Sequence, residues 1–161
     1  MDIVLLPAKK LKSFPKCGKI IHHTEEMEVM KVEEPSLVEY ARKQAERYIS
    51  EDGDLEERRL KGQFFTPLEV AAFMAGLFSF PKDLREIRIL DPGAGVGGLT
   101  AAFCDSLLSK DYDSFSLSVD LYEKDPKVIP YLTKVIKGCR VRFKEKGWEL
   151  RYRIINDDFI I

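Results

Sequence analysis

The stretch Ile87 to Thr100, IRILDPGAGVGGLT, constrains the fold more than any other part of the chain. An apolar run ends in an acid and a proline, glycines follow at 93, 95, 97 and 98, and helix-forming residues begin directly afterwards. This order predicts a strand, a tight loop and a helix start. Glycines are needed in such a loop because a Cβ would block a positive-φ turn or the approach of a ligand to backbone amides. The loop is therefore expected to hold a nucleotide-like ligand. Its spacing is G-x-G-x-G rather than the G-x-G-x-x-G of dinucleotide folds, although Gly98 blurs the count, so a nicotinamide-binding fold is the less favoured alternative.

The surrounding chain bounds what this loop can belong to. With 161 residues, 45% of them hydrophobic, it can bury a core, and the size argues for one domain with appendages. Lys and Arg number 26 against 27 for Asp and Glu, so no global basic field points to nucleic acid and any such contact is local. Cys17, Cys104 and Cys139 are widely spaced and odd in number, which suits reduced thiols, and no Cys or Cys/His cluster has zinc spacing. No metal site is expected. No signal-like stretch and no run of about 18 apolar residues occurs, so a cytoplasmic protein without a membrane span is expected.

Residues 1–34 have short apolar bursts broken by Pro7, Pro15 and Gly18 and read as extended or irregular. His22 and His23 are adjacent, so their side chains point apart on a strand or a helix, and they read as surface or packing residues rather than metal ligands. Lys9, Lys10 and Lys12 read as a solvated face. The spacing of Leu37, Val38, Ala41, Ala45, Tyr48 and Ile49 predicts a helix over 35–49, opened by Pro35, with Arg42, Lys43, Glu46 and Arg47 on a solvated face. Gly53 breaks it and a charged linker follows, which places a boundary near 50–60: an N-terminal segment at 1–55 and a second domain at 56–161.

The next informative stretch is KGQFFTPLEVAAFMAGLF, residues 61–78. Thr66 and Pro67 read as a helix N-cap followed by Pro at the first helical position, with Glu69 completing a capping-box spacing and Val70, Phe73, Met74 and Leu77 forming an apolar face. Phe64, Phe65 and Thr66 are open to a bland reading as staple and cap. Their position just upstream of the glycine loop, however, allows both segments to converge on one anionic group. After the loop, 99–108 continues as a helix in which Cys104 reads as a small buried hydrophobe. FSLSVDLY, 115–122, alternates as a second strand and ends at Glu123, where a nucleotide fold presents a carboxylate to ribose hydroxyls; Asp125 is the neighbouring fallback, or simply a helix start with Pro126. Residues 127–146 are helical in pattern and 148–155 read as a third strand, closing on acids that are also ordinary turn formers. The strand–helix series predicts an α/β fold with a parallel sheet, right-handed crossovers and the ligand at the carboxyl ends of the strands.

GQFFTPLEVAAFMAGLF followed by RILDPGAGVGGLTAAF resembles the start of the adenine-specific DNA methyltransferases of restriction-modification systems, the Eco57I-like and PaeR7I-like group. The resemblance covers Gly62 to Ile161. It implies a Rossmann-like S-adenosylmethionine-dependent methyltransferase fold, incomplete, with parallel strands 1–3 and crossover helices preceded by a helical N-terminal segment. It implies S-adenosyl-L-methionine as cofactor, with Phe65, Thr66 and Pro67 bordering its methionine end and Asp91, Pro92, Gly93, Gly95 and Gly97 beneath its methionine and ribose portions. Charge agrees: the ligand's ammonium suits the Asp91 carboxylate and its carboxylate suits amides near Thr66. By the same resemblance Asp158 and Phe159 border the adenine, and Glu123 is expected at the ribose.

Members of that group carry an Asn-Pro-Pro-Tyr or related segment that holds the flipped base, and none occurs in these 161 residues. No catalytic residue is therefore expected here. The chain is expected to be an N-terminal or truncated portion, or half of a split enzyme, inactive alone, meeting DNA through regions outside it. The first strand, 87–90, is expected to leave an unprotected apolar edge that favours self-association or a partner contact. A non-catalytic interaction module with a methyltransferase-like half-fold, or part of an RNA or protein methyltransferase, are the alternatives.

Overall fold

A computed structural model describes residues 35–52, 55–60 and 62–160, which belong to one compact unit, Glu33–Ile161. The expectations for Lys9, Lys10, Lys12, Cys17, His22 and His23 fall outside the described residues. Eight elements follow in order: α1 (Leu37–Asp52), α2 (Leu55–Leu60), α3 (Leu68–Gly76), β1 (Glu86–Asp91), α4 (Gly98–Leu108), β2 (Ser116–Tyr122), α5 (Ile129–Glu145) and β3 (Glu149–Ile155). The strands form a parallel sheet in the order β1-β2-β3. This is the α/β arrangement of a Rossmann-like methyltransferase fold, in the part that three strands make up, with α1 to α3 ahead of it in the chain.

The register explains which face of the sheet is covered. Ile87, Leu117 and Leu150 form one cross-strand row, and Ile89, Val119 and Tyr152 the next. These rows share one apolar core with residues of α1, α3, α4 and α5. The opposite rows carry Glu86, Ser116 and Glu149, then Arg88, Ser118 and Arg151, then Leu90, Asp120 and Arg153. On that face Arg153 holds Asp120 through two hydrogen bonds of 2.7 and 2.5 Å, and Arg88 reaches Glu86 at 3.2 Å. A parallel sheet covered on both faces reads as continuous apolar runs. The polar alternation of these strands fits a sheet on which the described helices occupy one face.

α1 buries the face that its spacing predicts from Leu37 to Tyr48, together with Gln44, but Ile49, expected on that face, is exposed. Its N-terminus is capped twice. Ser36 Oγ accepts the amide of Glu39 at 3.2 Å, and Asp105 of α4 accepts the amides of Leu37 and Val38 at 3.1 and 2.9 Å. These bonds satisfy amides that an isolated helix end leaves without partners.

Two local expectations are corrected. The charged stretch after Gly53 is a short helix, α2, rather than a linker. α3 starts at Leu68, one residue later than the capping box requires, because Pro67 is extended (φ −56°, ψ 148°), and no side chain caps it. α3 packs on α4 through Ala71 and Ala75, whose small side chains allow close approach, so Val70, Phe73, Met74 and Leu77 face outward instead of inward.

Candidate ligand cradle at the glycine loop

The loop after β1 is shaped by two glycines with positive φ. Gly95 has φ +53°, and a Cβ there would stand 3.2 Å from the Phe65 ring. Gly97 has φ +85°, and a Cβ would meet Leu132 of α5 at 2.9 Å. The loop is tied to the end of β2 by the Ala94 amide, which donates to the carbonyl of Tyr122 at 2.8 Å. Glu123 adds a second tie. Its two carboxylate oxygens accept the amides of Gly95 and Asp125 at 2.9 and 2.8 Å, and the residue is only 8% exposed. Each ionised carboxylate oxygen has room for a further bond, so Glu123 can brace the loop and still accept from a ligand hydroxyl.

Two adjoining cavities flank this brace. One, of about 320 Å3, lies among Phe65, Thr66, Pro67, the glycine loop and α1. The other, of about 220 Å3, is lined by Gln63, Phe65, Gly93, Gly95, Glu123 and the 157–160 turn. Phe65, Gly93 and Gly95 border both, so the Phe65 ring sits where the two meet.

Of the residues singled out from the sequence, Phe65, Thr66, Pro67, Pro92, Gly93, Gly95, Glu123, Asp158 and Phe159 all line one or other cavity. Phe159 stands edge-on to Tyr122, with ring centres 5.1 Å apart, and the Asp158 carboxylate lies 3.8 Å from Lys124. Gly97 lines neither cavity and instead lets α4 begin tight against α5. Asp91 also stands apart. Its carboxylate accepts the Thr100 hydroxyl at 2.7 Å and borders a third hollow, of about 470 Å3, along the β1 edge. Burial pushes the Asp91 carboxyl up from its usual range, against the lowering effect of the Thr100 hydroxyl and the Gly93 amide. Sequence reading missed Gln63 and Tyr48, which the fold brings beside the cradle. The one signal for Gln63 was its place directly before Phe-Phe-Thr-Pro, and a lone glutamine carries no chemistry of its own.

The two cavities leave room for an elongated ligand, and the carboxylate between them can accept from a hydroxyl. A buried acid faces one cavity, aromatic rings border it, and a backbone without a Cβ separates it from the next. The family description for N-6 DNA Methylase matches residues 48–131, about half of the chain, and takes in α3, the glycine loop, Glu123 and the start of α5. The chain belongs to the N-6 DNA methylase family. The resemblance read from the Phe-Thr-Pro and glycine-loop motifs is thereby borne out.

Similar methylases include the type II methyltransferase M.BsuBI of Bacillus subtilis, 42% identical over 99 residues, which are 62% of this chain and 18% of that protein. M.PstI of Providencia stuartii is 36% identical over 99 residues, 62% of this chain and 19% of that protein. The chain thus matches less than a fifth of the length of these relatives. No solved structure matches it at a significant level. Among the described residues no helix is long and apolar enough to cross a membrane.

Proposed function

We propose that this chain supplies the S-adenosylmethionine-binding part of a DNA adenine-N6 methyltransferase of a restriction-modification system. The observation that carries the reading is the Glu123 brace, a buried carboxylate that fixes Gly95 at the junction of two cavities. Glu123 would accept from the ribose hydroxyls, Asp158 and Phe159 would border the adenine, and Phe65, Thr66 and Pro67 would border the methionine end. The cofactor supplies a methyl group activated by its sulfonium centre. The chain's own part is to orient that end of the ligand and to keep water from the cavity between Phe65 and the loop. Asp91 is assigned the ligand's ammonium on charge alone, and its place on the β1 side of the loop makes titration of Asp91→Asn the deciding measurement for that assignment.

No Asn-Pro-Pro-Tyr segment lies in these residues, so this chain alone is proposed not to methylate DNA, with DNA met through other regions of the enzyme. Calorimetric titration with S-adenosylmethionine and with its demethylated product tests the reading. Saturable binding that Gly95→Val abolishes is expected. No heat with well-folded protein would overturn it.

A second proposal concerns the β1 edge. Among the described residues β1 pairs with β2 alone, Leu90 is 49% exposed, and Met74, Phe78, Phe80 and Phe103 line the hollow beside it. An unpaired apolar edge templates pairing with another chain. The edge is proposed as a self-association or partner-contact surface. This observation also favours the non-catalytic interaction module as the second reading.

A further inference from the structure

We propose that Gln63 is a positioning residue. It latches the segment carrying Phe65 to the Glu123 wall, so that the cavity binds a nucleoside only with the latch closed. The inference rests on the cofactor reading for its ligand, and on side-chain geometry for the latch itself.

The Gln63 amide bridges two elements. Its Oε1 accepts the Tyr48 hydroxyl of α1 at 3.0 Å, and its Nε2 donates to Asp125 Oδ2 at 2.5 Å. An ionised Asp125 carboxylate only accepts, which fixes the amide with nitrogen towards Asp125. Asp125 in turn donates its backbone amide to Glu123 Oε1, and its Oδ1 accepts the Lys127 amide at 2.9 Å. Glu123 Oε2 then takes the amide of Gly95.

The path from Gln63 through Asp125 and Glu123 reaches Gly95 and closes on itself. The Phe65 ring packs at Gly95 and stands edge-on to Tyr48, with ring centres 5.7 Å apart. Residues 63, 95, 123 and 125 all lie outside regular helix and strand. Backbone bonds tie Ala94 to Tyr122 and Glu123 to Ile155, whereas Gln63 reaches Asp125 through its side chain. Gln63 links the first of these loops to the others with one bond, to the Asp125 carboxylate, and to α1 with a second, from the Tyr48 hydroxyl. Opening that link removes one support of the segment carrying Phe65 and one of the bonds that orient Asp125, next to the Glu123 carboxylate that the nucleoside would meet.

The test uses the full chain with two probes, adenosine and S-adenosylhomocysteine, and follows amide hydrogen exchange without ligand. Gln63→Glu sets a second carboxylate against Asp125. Combining it with Asp125→Asn restores a donor and acceptor pair in the reverse direction. The single variant is expected to weaken both probes by about tenfold or more. It should also speed exchange at Gly95 and Asp125 while leaving β2 and β3 amides unchanged. The double variant is expected to recover both properties, which a role limited to general stability would not show. Binding by Gln63→Glu within about twofold of the parent, with Gly95 equally protected, overturns the latch, as does a double variant that recovers neither. If the parent protein binds neither probe, the cofactor reading falls and the exchange measurement alone decides the latch. Gln63→Ala, which adds no charge, is measured in the same way should Gln63→Glu fail to fold.

Discussion

At the scale of single residues, the glycine loop separates positions that shape the fold from those that line the cavities. Gly97 combines a left-handed φ with a Cβ position that Leu132 already occupies. Gly97→Ala is therefore expected to destabilise the protein by about 1–3 kcal/mol in thermal or denaturant unfolding. Gly93 has no atom within 4 Å of its Cβ position and no positive φ, so Gly93→Ala is expected to stay within about 0.5 kcal/mol. If both changes cost the same, this account of the loop fails. Asp91 gives a pH signature. Burial raises its folded-state pKa above the unfolded value, so the folded state holds its proton to higher pH than the unfolded chain does. Stability therefore falls as pH rises from about 4 through the raised pKa, and above it the cost is fully present. Asp91→Asn keeps an acceptor for Thr100 and removes that cost. The variant should gain on the parent at neutral pH in urea unfolding, and the gain should vanish as the pH approaches about 4. A constant difference across that range would show that Asp91 is not desolvated in the folded state.

At the scale of elements, the ends of α1 and α3 show how a helix is held from outside itself. The two oxygens of Asp105 accept the first amides of α1 from 67 and 68 residues away, and nothing local in LVEYARK signals that partner. Asp105→Ala leaves both amides without their carboxylate and is expected to cost about 1–3 kcal/mol. Amide exchange should rise first at Leu37 and Val38, whereas Asp105→Asn should retain part of the effect. Unchanged protection at both amides would exclude the cap. The same contrast explains what the sequence made legible. β2, β3, α5 and the buried face of α1 follow from periodicity, because side-chain spacing reports directly which face is apolar, whereas β1 and α4 follow from the apolar run and the helix-forming residues on either side of the glycine loop. Phe65, Gly95 and Glu123 could be placed at one site because motif order carries them there. The start of α3 was misread because Thr-Pro fits a cap equally well when Pro67 is extended. Its outward apolar face was misread because periodicity shows that a face is apolar but not what covers it. Gln63 and Asp105 stayed hidden because their partners, Asp125 and the α1 amides, are distant in sequence, and only the fold joins them.

At the scale of the molecule, large apolar side chains of α3 and the turn after it are exposed. Phe73 is 68% exposed, Leu77 67% and Phe78 55%, and Met74 and Phe78 border the hollow that runs along β1 to Leu90. Scattered exposed hydrophobics need no explanation, but Met74, Phe78 and Leu90 border one hollow beside a strand that, among the described residues, pairs on one side only, and such an edge favours pairing with another chain. Away from Leu90 the polar second face of the sheet offers no comparable drive, since its Arg and Asp or Glu side chains pair with one another along and across the strands. Association is therefore expected through the α3 and β1 side and not through the sheet face. Light scattering over a rising concentration series should show a growing average mass for the parent chain. Leu90→Lys, which places a charge on the edge, combined with Phe73→Glu on α3, should return the mass towards that of a single chain without lowering the unfolding temperature, because neither side chain is buried in the core. Arg153→Ala, on the polar face two strands away from the edge, should leave association unchanged. A parent chain that stays strictly monomeric at high concentration, or one whose association responds to Arg153→Ala and not to the edge variant, would remove the β1 side as the contact surface.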